Sequence, residues 1–107
     1  MGAWTLLAIA ICLEVIATTL LKLSAGFEKA GLGILSLICY SACFYAFAPA
    51  IKAIPVGVAY AVWAGTGIAA ITFIGVAFFG QKLEAIHYLF IALIAIGGVG
   101  LRLTSPS

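Results

Sequence analysis

Apolar residues fill four long stretches of this chain, 4–21, 32–51, 56–79 and 85–103, and polar residues gather in the short breaks between them. Strict period-two alternation is absent, which argues against the strands of a closed barrel. A bilayer core about 30 Å thick takes roughly 20 helical residues. Only helices or closed barrels satisfy the backbone inside it. The pattern therefore predicts four membrane-spanning helices. The breaks carry turn and charge signals. Lys22 to Gly31 holds Lys22, Glu28, Lys29 and two of the glycines, Gly26 and Gly31. Lys52-Ala53-Ile54-Pro55 ends in a proline suited to opening the third helix. Gly80-Gln81-Lys82-Leu83-Glu84 joins the third stretch to the fourth. The expected organisation is one four-helix transmembrane domain over residues 1–107, with no room for a soluble catalytic domain.

One position violates the pattern. Glu14 lies near the middle of the first stretch, with no Lys or Arg between Trp4 and Leu21. A charge at the bilayer centre costs about 2.5–3.5 kcal/mol even on lenient insertion scales. Ionised, Glu14 needs a cavity, water or a cation; otherwise it takes up a proton. It is the leading candidate for proton and substrate binding. Helical spacing puts Leu7, Ile11 and Thr18 on or near its face. Thr18 is a candidate substrate-pocket residue and hydrogen-bonding neighbour of Glu14, with back-bonding to its own helix as the alternative. In the second stretch, Tyr40, Cys43, Phe44 and Phe47 form a stripe at i, i+3, i+4 and i+7. Such a stripe serves as core or lipid contact, or it lines a cation site, because aromatic faces attract cations. Tyr40 and Phe44 are the candidates for a cavity. In the third stretch Tyr60, Trp63 and Gly67 share a face. Trp63 lies too deep to be an interfacial anchor. Gly65 and Gly67 weaken this helix and suit close packing or a conformational hinge. In the fourth, Gly97, Gly98 and Gly100 offer a small-residue surface, and Gly97 and Gly98 are expected at a dimer contact.

Composition sharpens the class. Hydrophobic types make up 66% and charged types 7%, against about 25% charged in soluble domains, and mean hydropathy is +1.35. The net charge of +2 is small and scattered, so nucleic acid is not an expected partner. Cys12, Cys39 and Cys43 all sit in apolar stretches. Cys39 and Cys43 share a helix face, but no third ligand accompanies them and no metal site is expected. No nucleophile–base pair or cofactor loop is present, so neither an enzyme nor a cofactor is expected.

The loop charges bear on assembly. With four spans, Lys52 and Arg102 fall on one side and Lys22, Lys29 and Lys82 on the other. Two against three is almost no orientation signal. Either one weak preference wins, or the chain inserts both ways. Transporters commonly build their sites between inverted repeats, and one chain of this size is too small to enclose a site. Two copies in opposite orientations would supply that symmetry, with two Glu14 carboxyls near one midplane. The expected fold is an all-α membrane protein, four helices per chain, in an antiparallel, dual-topology homodimer.

Several stretches together resemble the small multidrug resistance family. They are Leu13-Glu14-Val15-Ile16-Ala17-Thr18-Thr19, Ser24-Ala25-Gly26-Phe27, Cys39-Tyr40 with Phe44, Ile54-Pro55-Val56-Gly57-Val58-Ala59-Tyr60-Ala61-Val62-Trp63, and Phe78-Phe79-Gly80-Gln81-Lys82-Leu83. The resemblance implies a proton-coupled antiporter in the inner, cytoplasmic membrane that exports lipophilic cations such as quaternary ammonium compounds. By resemblance Glu14 is shared by proton and substrate, and Tyr40, Tyr60 and Trp63 line the pocket. The first three helices then form the cavity, and the fourth forms much of the homodimer contact. The family's guanidinium-exporting branch typically has Trp three residues after the glutamate. Ala17 stands there instead, which favours the multidrug branch and a roomier cavity. The alternatives are a guanidinium-type small-cation exporter and a proton channel. Three departures stand out: Cys43 where serine is common, Thr66 between the two glycines, and Phe90 where the fourth helix often has glycine.

Overall fold

The apolar runs lack internal breakers apart from Pro49, and in the computed structural model, which describes residues 2–104, each becomes one helix. They are α1 (Ala3–Leu23), α2 (Ala30–Ala53), α3 (Val56–Phe78) and α4 (Ala85–Thr104). Met1 and residues 105–107, at the ends of the expected domain, lie outside the described residues. At 20 to 24 residues each the helices span roughly 30–36 Å, and all four are long and apolar enough to cross a membrane.

The helix ends follow backbone chemistry rather than hydropathy. α1 runs past its apolar stretch to Leu23, with Lys22 in the last turn, where the helix dipole favours a cation. α2 continues through Pro49 to Ala53. α3 stops one residue short of its apolar stretch. Gly80 turns the chain with φ +67°, and the N–H groups of Phe79 and Gln81 both return to the Gly75 carbonyl at 3.1 and 3.0 Å. This is a glycine-terminated helix end. α4 opens with the Glu84 N–H donating to His87 Nδ1 at 3.1 Å.

Helix contacts fall within two units, one ending at Ala53 and the other beginning at Ile54. In the first, α1 packs on α2. Leu7, Ala10 and Ala17 of α1, with Ser24 just beyond it, are fully or almost fully buried, as are Ser36, Cys43 and Ala50 of α2; Gly33 is buried too. The positions 7, 10, 17, 24 and 33, 36, 43, 50 recur at threes and sevens. That spacing keeps two helices facing one another along their length. Most of these residues are small, which lets membrane helices approach closely. Ser36 Oγ donates across the seam to the Ala17 carbonyl at 2.8 Å. Glu14 and Tyr40 fall in the same register, at 7-10-14-17 and 33-36-40-43. The acidic residue therefore belongs to the packed seam and not to an arbitrary helix face.

The turn joining these helices is tightly specified. Ser24 Oγ donates to the Leu21 carbonyl at 2.6 Å and accepts the Phe27 N–H at 3.2 Å. Ala25, Gly26 and Phe27 have φ of 52°, 70° and 68°. The left-handed region costs a residue with a Cβ roughly 1–2 kcal/mol, so Ala25 and Phe27 are held there by their surroundings. Phe27 lies over Gly33, where any Cβ would overlap its ring.

In the second unit, α3 packs on α4. Gly65 and Gly98 mark the crossing. A Cβ on Gly65 would stand 3.0 Å from the Ile94 carbonyl oxygen; one on Gly98 would stand 3.7 Å from the Ala61 oxygen and 3.9 Å from Gly65 Cα. Among the described residues of α4, Gly98 alone is buried. Phe90, Leu93, Ile96 and Val99 are exposed, as suits a helix that meets lipid or a second chain.

Candidate functional site

The seam brings three polar side chains together at the middle of α1 and α2. Thr18 lies one turn after Glu14, and its Oγ1 donates to Glu14 Oε1 at 2.9 Å. The same Oγ1 lies 2.7 Å from the Tyr40 hydroxyl. A threonine hydroxyl has one hydrogen. Since Thr18 commits its hydrogen to the carboxylate, Tyr40 donates to Thr18. The order is Tyr40 O–H to Thr18 Oγ1, then Thr18 O–H to Glu14 Oε1. The back-bonding open to Thr18 occurs at its neighbour instead, where Thr19 Oγ1 donates to the Val15 carbonyl at 2.8 Å.

The other carboxyl oxygen is different. Glu14 Oε2 is buried and has no hydrogen-bond partner among the described residues. A buried polar atom left unpaired costs about 1–3 kcal/mol, more when charged. Such an atom marks a place for a proton, a cation or an ordered water. Cys43 is fully buried on the facing helix.

Phe44 is about half exposed. In the second unit, Tyr60 is exposed and meets Trp63 edge to face, ring centroids 6.1 Å apart and planes at 88°. Gly65 and Gly67 are both buried. Gly97 and Gly98 do not share a surface. Gly98 is taken up against α3 of its own chain, while a Cβ on Gly97 would meet nothing within 4 Å. Adjacent helical residues point about 100° apart, so the expected joint contact separates into an internal position and an open one. Ala17 is fully buried in the seam, its carbonyl taking the Ser36 hydroxyl. Nothing in the chemistry of Ser24 or Ser36 marks them out along the chain. The seven-residue spacing shared with Ala17 and Cys43 is the signal that finds them.

Comparison with known proteins agrees with this architecture. Residues 2–94 match the sequence profile of the family described as Small Multidrug Resistance protein. The chain is 47% identical over its whole length to the quaternary ammonium compound-resistance protein QacE of Escherichia coli, covering 97% of that protein. Over its whole length it is also 39% identical to the multidrug transporter EmrE of Escherichia coli strain K12, again covering 97%. With the spermidine export protein MdtI of Salmonella arizonae it shares 44% identity over 102 residues, 95% of this chain and 92% of that one. Four helices of membrane-spanning length, a carboxyl in the first of them and similarity along the full chain lead to one conclusion: this chain belongs to the small multidrug resistance family, whose members are membrane transporters and not enzymes.

Proposed function

We propose that the protein is a proton-coupled antiporter that exports lipophilic and quaternary ammonium cations across the inner membrane. It works as an antiparallel homodimer in which each four-helix chain acts as one transmembrane domain. The observation that carries this reading is the buried, unpartnered Oε2 of Glu14. A carboxylate held away from water is neutralised by a proton or by a cation, and one site serves both. Cation and proton therefore compete. If the dimer changes sides readily only when loaded with one or the other, an inward proton gradient drives cations outward. Tyr40, Phe44, Tyr60 and Trp63 supply aromatic faces, which attract cations without a fixed hydrogen-bond pattern and so tolerate many shapes. Gly65 and Gly67 give α3 its flexible point, and the open Gly97 side of α4 meets the second chain.

The name of QacE supports quaternary ammonium compounds as the substrate class. Similarity to a spermidine exporter at comparable identity makes a polyamine the second class to test. The deciding experiment adds tetraphenylphosphonium to the purified dimer in detergent and measures proton release. Wild-type protein releases protons, and Glu14→Gln releases none and loses gradient-driven uptake in vesicles. Gradient-driven uptake by Glu14→Gln would refute the shared site. Downhill proton conductance without cation exchange would establish a channel instead.

A further inference from the structure

We infer that Thr18 is a positioning residue that makes the two oxygens of Glu14 unequal, so that proton and cation exchange at Oε2 while Oε1 stays occupied by the protein. This rests on the antiport reading above and deepens it. The argument is a count of hydrogens. Tyr40 and Thr18 have one hydroxyl hydrogen each, and both are directed along the relay toward Oε1. The relay gives Oε1 a donated hydrogen bond that Oε2 lacks. A proton placed on Oε1 would compete with the Thr18 hydrogen for that oxygen and leave it a weaker acceptor. A proton placed on Oε2 leaves the relay intact. The same holds for a cation, which finds its free lone pairs at Oε2.

The register that builds the relay comes from the seam. Ser36 lies one turn before Tyr40 on α2, and its bond to the Ala17 carbonyl fixes α2 beside the residue preceding Thr18. Thr18 is β-branched and restricted at χ1, so its hydroxyl is held between its two partners. α2 is the element packed against α1. Its titratable groups near Glu14 are Tyr40 and Cys43, and no Lys, Arg or other carboxyl stands between Trp4 and Leu21 on α1. Thr18 and the Tyr40 hydroxyl hydrogen are thus committed to the carboxyl and are not available to substrate.

The test follows proton release and tetraphenylphosphonium affinity of the purified dimer across pH for Thr18→Val, Thr18→Ser and Tyr40→Phe. Thr18→Val removes the donor to Oε1 and moves the pH of half-release upward by about one pH unit; Tyr40→Phe, whose hydroxyl reaches Glu14 only through Thr18, moves it the same way by less. Below that pH a midpoint raised by one pH unit weakens the apparent cation affinity about tenfold, and at alkaline pH the affinity converges on wild type. The double variant moves no further than Thr18→Val alone, because both act on one chain of bonds. Thr18→Ser restores the wild-type profile. An infrared measurement gives a second readout: the C=O band of protonated Glu14 moves to higher frequency when Oε1 loses its donor in Thr18→Val. A weaker affinity at every pH with an unmoved midpoint and an unmoved band would show that Thr18 is merely pocket wall, and would overturn the inference while leaving the antiport reading standing. A wild-type protein that releases no proton at all would overturn both.

Discussion

The crossing of α3 and α4 offers a sharp comparison between two glycines that look alike in sequence. A methyl group at Gly65 would lie 3.0 Å from the Ile94 carbonyl oxygen and 3.6 Å from Ile94 Cγ2, whereas one at Gly98 would meet its nearest atoms at 3.7–3.9 Å. The first closest approach is to helix backbone, which cannot swing aside, so the two helices must separate by a few tenths of an ångström. The second lies within ordinary contact. Both positions are helical, and the propensity gain of alanine over glycine, about 1 kcal/mol, cancels when the two variants are compared. Overpacking costs about 1–3 kcal/mol. Gly65→Ala is therefore less stable than Gly98→Ala by about that amount, read as a change in the unfolding equilibrium in mixed micelles and followed by helical circular dichroism. If Gly65 is also the flexible point of α3, vesicle transport by Gly65→Ala slows more than its residual fold explains. Two alanine variants of equal stability, or a Gly98→Ala less stable than Gly65→Ala, would refute the packing argument.

Two further changes probe other parts of the chain. Trp63→Ala removes a large aromatic face, and cation–π attraction of about 1–2 kcal/mol predicts roughly tenfold weaker binding of large aromatic cations; unchanged affinity across several of them would remove Trp63 from the pocket. Ser36→Ala deletes the seam hydrogen bond to the Ala17 carbonyl and lowers stability by about 1 kcal/mol, measured by the same micelle unfolding; a variant as stable as wild type would show that small-residue packing alone fixes the register.

Much of this was legible in the sequence, for identifiable reasons. Long apolar runs admit one spanning geometry, so four helices followed directly, and a carboxyl among them could not be ignored. The helix ends differ by a residue or two because they are set by local devices: Gly80 and its returning N–H groups, or a backbone that carries Lys22 and Lys52 inside the helix. Thr18 was within reach because i, i+4 neighbours meet on any helix. Its bond to Tyr40 was out of reach, because that depends on the register between two helices, and register is written in residues with no chemical prominence: Ala10, Ala17, Gly33, Ser36. The separation of Gly97 from Gly98 was available in principle. Neighbouring helical residues cannot point the same way, and reading a cluster of glycines as one surface overlooks this. The internal place of Gly98 needed the partner helix, since a glycine declares that something comes close without saying what.

The left-handed turn at Ala25, Gly26 and Phe27 bears on how the chain is made. Phe27 seated on Gly33, with Ser24 tying the turn to the end of α1, closes one end of the hairpin that α1 and α2 form. Two apolar helices tied by such a turn have the form of a single insertion unit. In that form Glu14 is accompanied by the Thr18 hydroxyl that donates to it and the Tyr40 hydroxyl behind it, rather than standing alone on a solitary helix. Pairing of this kind lowers the cost of carrying a carboxyl into hydrocarbon, since a polar group with a hydrogen-bond partner is cheaper to bury than one without.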